Sequence, residues 1–168
     1  MNKILSVMLT VLLIFGGVVM AADQDQVDHP SCDYCGMNRV KFAHSRMLIE
    51  YADGGSAGTC SIHCAAVEFA NAIDRIPMSI MVGDLNSKQL IDAEQAVWVL
   101  GGKRPGVMTK RAKWAFADKA AAEAFIAEQG GEIANFEQAM TAAYQDMYTD
   151  TKMIRMKRSA QKTKMMHQ

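Results

Sequence analysis

All four cysteines of this chain fall in two short clusters, and any fold the chain adopts has to accommodate both. The first is Cys32-Asp33-Tyr34-Cys35-Gly36-Met37 and the second is Thr59-Cys60-Ser61-Ile62-His63-Cys64. Each cluster adds a further soft or borderline ligand, the Met37 thioether in one and the His63 imidazole in the other. Thiolate, thioether and imidazole together favour Cu(I) and Zn(II) over hard ions such as Mg(II) or Ca(II). Gly36 permits a tight backbone turn beside the thiols, which sends Met37 to the same side.

Residues 1–22 read as a secretory signal peptide. Lys3 supplies a positive start, Ile4 to Val19 is almost wholly apolar, and Val19-Met20-Ala21-Ala22 offers small residues for cleavage after Ala21 or Ala22. An uncleaved N-terminal anchor is the other reading, since the run is nearly long enough to span a bilayer. No cysteine stands near the cleavage site to carry a lipid, and no later segment is apolar enough to span a membrane. Export would place the protein in the periplasm or another extracytoplasmic space. Cysteines there are either paired as disulfides or protected by metal. The 168 residues suffice for one ordinary domain or two very small ones, and half of them are hydrophobic. A net charge of zero gives no electrostatic ground for nucleic-acid binding.

The remainder reads as an α+β chain in which one pattern occurs twice. Met47, Ile49 and Tyr51 alternate, Asp53-Gly54-Gly55 signals a turn, and Ser56 to Cys60 returns as a second strand. Ser61 is placed to cap a helix whose buried stripe is Ile62, Ala66, Phe69, Ala70 and Ile73. Pro77 ends that segment, and Met78 to Val82 forms a short strand. The order then recurs: strands at Ala96–Leu100 and Ala112–Ala117, a helix capped by Asp118 and stopped at Gly130-Gly131, and a strand at Ile133-Ala134. Asn135-Phe136-Glu137-Gln138 starts a closing helix in the manner of a capping box, with Phe136, Met140, Ala143, Tyr144 and Met147 on one face. The expected organisation is therefore a signal peptide at 1–22, a first ββαβ repeat with the cysteines at 23–90, a second ββαβ repeat and closing helix at 91–150, and a Met/Lys-rich tail at 151–168. The tail has no acid from Met153 onward and little with which to build a core, so it is expected to be mobile.

Three readings of the cysteines stand side by side. Cys32-x-x-Cys35 alone suits a structural disulfide; it precedes a hairpin rather than leading from a strand into a helix, so a thioredoxin-like redox setting is absent. A Cys-x-x-Cys knuckle joined to a second pair at a helix start makes a closed four-ligand zinc site. The third reading is functional binding of a soft metal, with the helix start favouring thiolate at Cys60 and Cys64. His63 is a further candidate ligand, and His29 and His44 are weaker ones. Among the methionines, Met47, Met78, Met81, Met140 and Met147 fall on expected core faces. Met153, Met156, Met165 and Met166, with His167, do not; they suit either weak Cu(I) capture or a frayed basic tail. Met108, after Pro105-Gly106-Val107, is either a packing plug or a loop ligand presented to the first repeat.

The first cluster, the hairpin with Asp53-Gly54 and the Cys60 to Cys64 helix start resemble the NosL family, accessory proteins of nitrous-oxide reductase maturation. The second half is similar to that family as well, in the Met108 loop, in Trp114-Ala115-Phe116-Ala117-Asp118-Lys119-Ala120-Ala121-Ala122-Glu123-Ala124-Phe125 and in Gly130-Gly131-Glu132. The resemblance covers roughly residues 30–145. It implies two small ββαβ repeats, an extracytoplasmic address, Cu(I) binding, and copper delivery rather than catalysis. Carried over by position, it makes Cys35, Met37 and Met108 metal-site residues, to which Cys32, Cys60 and Cys64 can add thiolates. The chain departs in lacking an anchoring cysteine, in its Met-rich tail, and in the Cys60/Cys64 pair, which looks more like the helix start of YHS and TRASH modules. The implied partner is a copper-receiving protein such as nitrous-oxide reductase, with Zn(II) as the alternative ion. Membrane association would require an uncleaved signal or the basic tail.

Overall fold

A computed structural model describes residues 24–166; the expected signal peptide and His167 lie outside the described residues. A short helix α1 (Gln24–Asp28) leads into an irregular loop that carries the first cysteine cluster. Strands β1 (Met47–Tyr51) and β2 (Ser56–Thr59) pair as the expected hairpin, with Gly54 at φ 83° in the turn. Helix α2 (Ile62–Asn71) follows Ser61, and β3 (Pro77–Gly83) returns antiparallel to β1. Strand β4 (Leu90–Asp92), in the stretch between the repeats, completes a sheet of order β2-β1-β3-β4. The second unit places β5 (Val97–Leu100), β6 (Lys113–Phe116), α3 (Lys119–Gln129) and β7 (Glu132–Ala134) in the same order, with a sheet β6-β5-β7. Helix α4 (Phe136–Met166) closes the chain. The fold is thus α+β with ββαβ order twice and two small antiparallel sheets.

Ser61 stands at the N-cap position of α2 but makes no side-chain cap hydrogen bond, whereas the other two signalled caps form. The Asp118 carboxylate accepts from the Ala121 amide at 2.8 Å. At α4, Asn135 and Gln138 satisfy each other's backbone amides reciprocally, both at 2.9 Å. Three details of the helices differ from the sequence pattern. Helix α2 stops at Asn71, where Ala72 N–H still bonds the Glu68 carbonyl and the chain then turns, so Ile73 and Met78 are carried to the surface. The buried stripe of α4 consists of Ala139, Ala142 and Ala143, while Tyr144 is exposed. Small side chains there let α4 lie close to α2 and β5. Finally, residues 151–166, set apart as a tail in the sequence pattern, continue α4 without a break. No Gly or Pro interrupts Phe136–Met166, and the basic residues near its end suit the negative pole of the helix dipole. None of the helices among the described residues is long and apolar enough to cross a membrane.

Strand β5 joins the two repeats. Trp98 and Leu100 point into a core with Met47, Ile49 and Ala65, whereas Val99 points into a second core with Trp114, Phe116, Cys32, Cys60 and Cys64. This is the alternation a strand imposes on its side chains, used here to feed two cores from one element. Asp84 stitches the sheets: its carboxylate accepts from the Ala117 and Ser87 amides, and the next residue, Leu85, donates its N–H to the Ala115 carbonyl at 2.9 Å.

The cysteine loop is held from beneath by a buried charge cluster. The Asp25 carboxylate receives Arg39 at 2.9 Å and Arg46 at 2.7 Å, and all three side chains are buried. Arg39 also donates to the carbonyls of Asp25, His29, Met47 and Thr59, tying α1 and the loop to both strands of the hairpin. Asp25→Ala removes the carboxylate that pairs with the buried Arg39 and also holds Arg46, and should cost about 3–5 kcal/mol in urea unfolding. A loss below about 1 kcal/mol, the range of an exposed pair, would show that the cluster does not anchor the loop.

Candidate metal centre

The two cysteine clusters meet where the loop crosses the start of α2. Asp33 N–H bonds the Gly58 carbonyl at 3.0 Å and the Asp33 carboxylate accepts from Gly58 N–H at 2.8 Å, so the loop runs along β2. Within the loop, Gly36 takes φ 72°, and Cys32 N–H reaches the Met37 carbonyl at 2.8 Å. That left-handed turn, costly for any residue with a Cβ, folds Cys35 back over Cys32. Tyr34, between the two cysteines, donates its hydroxyl to the buried Glu68 on α2 at 2.5 Å. Tyr51 donates to the other oxygen of Glu68 at 2.6 Å. Loop, hairpin and helix are thus locked by one carboxylate.

The result is a compact set of four sulfurs. The Sγ atoms of Cys32, Cys35, Cys60 and Cys64 all lie within 4.8 Å of one another. Cys35 is 3.4 Å from Cys60, and Cys60 is 3.8 Å from Cys64. A tetrahedron of sulfurs bound at about 2.3 Å to a central ion has edges of about 3.8 Å, so the spacing fits metal coordination. All four cysteines are free thiols, and these separations far exceed an S–S bond of about 2.05 Å. Three of the cysteines are buried, and Cys35 is half-buried on the open side. Met37 and Met108, both partly buried, pack against the same apolar cluster that holds Cys32, Cys60 and Cys64.

The thiols share their protons unequally. Hydrogen bonds from Cys35, Cys60 and Cys64 converge on Cys32 and hold it strongly toward thiolate. The bond to Cys32 raises Cys35, but those from Cys60 and Cys64 outweigh it, and Cys35 falls to about 7. Cys60 and Cys64 are pushed up, chiefly because they bond to the ionised Cys32. The helix start therefore does not by itself make thiolates of Cys60 and Cys64; repulsion from the first anion prevails. A bound cation reverses this logic, since a coordinating thiol is deprotonated outright.

His63 does not join the sulfurs. Its Nδ1 faces Asp150 Oδ2 of α4 at 3.8 Å, both side chains are buried, and burial holds the imidazole toward its neutral form. His29 bonds Ser56 at 2.9 Å, and His44 stacks between Phe42 and Trp114. Met108 has φ 60°, a left-handed conformation uncommon outside glycine, with buried Val107 and Thr109 on either side. Its loop is clamped by α4: Lys110 N–H donates to Asp150 at 2.9 Å, and Arg111 and Lys113 both pair with Asp146 at 2.9 Å. Further along α4, Arg158 donates to the Cys35 carbonyl at 2.9 Å. The supports outside the Cys and Met motifs (Asp25, Arg39, Arg46, Glu68, Asp146 and Asp150) carried no sequence signal. Each is an ordinary charged residue until the fold buries it or, for Asp146, pairs it with Arg111 and Lys113.

Fold and site together define a small two-repeat α+β protein with a four-thiol centre suited to a soft or borderline metal ion. The sequence model of the NosL family matches residues 24–144, and the chain belongs to that family. Among solved structures, it is similar to the crystal structure of the copper chaperone NosL from Shewanella denitrificans. The TM-score is 0.53 at 24% identity, covering 64% of this chain and 87% of that one. No curated protein matches the chain.

In the reduced, metal-free protein at neutral pH, iodoacetamide should label Cys35 first and Cys60 and Cys64 last, as read by peptide mass spectrometry. Labelling of Cys60 or Cys64 ahead of Cys35 would contradict the proton arrangement.

Proposed function

We propose that this chain is an exported carrier that binds Cu(I) and passes it to a copper enzyme such as nitrous-oxide reductase. One observation carries the reading: four sulfurs within 4.8 Å, three buried and one half-buried, in an apolar cluster against which Met37 and Met108 also pack. Thiolate and thioether ligands select Cu(I). The copper chaperone that shares this fold supports the same choice. Transfer requires a site that a recipient's ligand can enter before the donor's ligands leave. Cys35, Met37 and Met108, on the less buried side, provide that entry, while Cys32, Cys60 and Cys64 retain the ion from behind. A carrier rather than an enzyme is favoured because the centre consists of sulfur ligands, with the neighbouring imidazole of His63 turned to Asp150. Export rests on the signal-peptide pattern of residues 1–22.

The near-tetrahedral spacing also suits a structural zinc site. The two readings part on metal removal. A carrier keeps its fold when a chelator withdraws the ion, whereas a zinc scaffold unfolds. Cys35→Ser should lower Cu(I) affinity by about tenfold or more, about 1.4 kcal/mol upward, with unchanged circular dichroism. Competition against a Cu(I) chelator measures this. Unaltered affinity removes Cys35 from the site, and unfolding on metal removal from the parent protein favours zinc.

A further inference from the structure

The four C-terminal methionines are not equivalent. Met156, Met165 and Met166 are exposed, whereas Met153 is partly buried and faces a cavity of about 310 Å³ whose walls include Met37 and Met108. These three thioethers come from three separate parts of the chain: the cysteine loop, the loop before β6, and α4. The cavity is tied to the cysteine loop, because Met37 lines it and Arg158, another wall residue, donates to the Cys35 carbonyl.

The position of Met153 is enforced. Asp146, Asp150, Met153 and Lys157 are spaced as one helical stripe. Asp146 grips Arg111 and Lys113, and Asp150 grips the Lys110 amide, two residues from Met108. Arg158, one turn beyond, grips the cysteine loop. The same helix face therefore straps down both methionine loops and sets its own thioether between them. The cavity wall includes Lys157 and Arg158 and no carboxylate, so any cation there has to be held by direct ligand bonds rather than by opposite charge. A neutral thioether needs no deprotonation and prefers a soft monovalent ion.

We propose that Met153 is a metal ligand, forming with Met37 and Met108 a thioether site for Cu(I) at the mouth of the four-thiol centre. The proposal rests on the copper reading above. Residue 153 lies on α4 beyond the segment that matches the NosL family, residues 24–144.

The test uses the full reduced protein with methyl-labelled methionine. Ag(I), a closed-shell stand-in for Cu(I), should shift the Met37, Met108 and Met153 methyl resonances together and leave Met156 in place. In parallel, Met153→Leu, close in volume, should weaken Cu(I) binding about tenfold against a chelator, while Met156→Leu has no effect. A Met153 resonance that stays put while Met37 moves, with Met153→Leu binding as the parent does, overturns the proposal and leaves the four-thiol carrier standing. Failure of the parent protein itself to take up Cu(I) removes both readings together.

Discussion

A buried carboxylate with two guanidiniums around it is what allows an irregular loop to present cysteines at all. Residues 29–46 contain no regular strand or helix, so their backbone groups need partners from elsewhere. Arg39 supplies donors to four carbonyls, Arg46 to two more, and the Asp25 carboxylate bridges the two guanidiniums. Such a cluster contributes little net stability compared with apolar packing of the same volume. Its effect is geometric: one arrangement of loop on hairpin satisfies all of the charges, and that arrangement brings Cys32 and Cys35 to the start of α2.

The thiol centre that results is electrostatically unfinished. Cys32 is held toward thiolate and Cys35 is lowered to about 7, whereas ionisation of Cys60 and Cys64 is opposed by their neighbours. A soft cation supplies the missing positive charge and allows the remaining thiols to ionise. Affinity is then coupled to proton release, so binding strengthens as pH rises. The half-buried Cys35 is where this coupling meets solvent.

Helix α4 connects the ends of the molecule. Its alanine stripe packs against α2 and β5, its acids hold the Met108 loop, and its extension reaches the carbonyl of Cys35. Loops bearing ligands are ordinarily the more mobile parts of a fold. Here one helix more than seven turns long makes hydrogen bonds to both the Met108 loop and the cysteine loop and so restrains them.

Periodicity and turn chemistry were enough to read the ββαβ order twice over, because each strand alternates and each cap is a local interaction. Ser61, Asp118 and the Asn135/Gln138 box mark helix starts that any chain with those residues would favour. The two cysteine clusters announced soft-ligand chemistry for the same reason, as ligand type is a property of the residue. What the pattern could not supply was any fact that depends on distant residues meeting. Ile73 continues a helical spacing that the chain abandons at Asn71, and Met78 alternates on a strand whose end lies in solvent. Residues 151–166 carry too little apolar surface to suggest a core, yet they extend a helix already nucleated by packing at Ala139–Ala143. Which sulfurs come within reach of one another, that His63 turns to Asp150, and that Met153 alone among the last methionines faces the cavity were decided by tertiary contacts. The sequence by itself determined the elements and the kinds of ligand, since both act over a few neighbouring residues; only the folded structure could decide their meeting, since that depends on charges and side chains far apart in the chain.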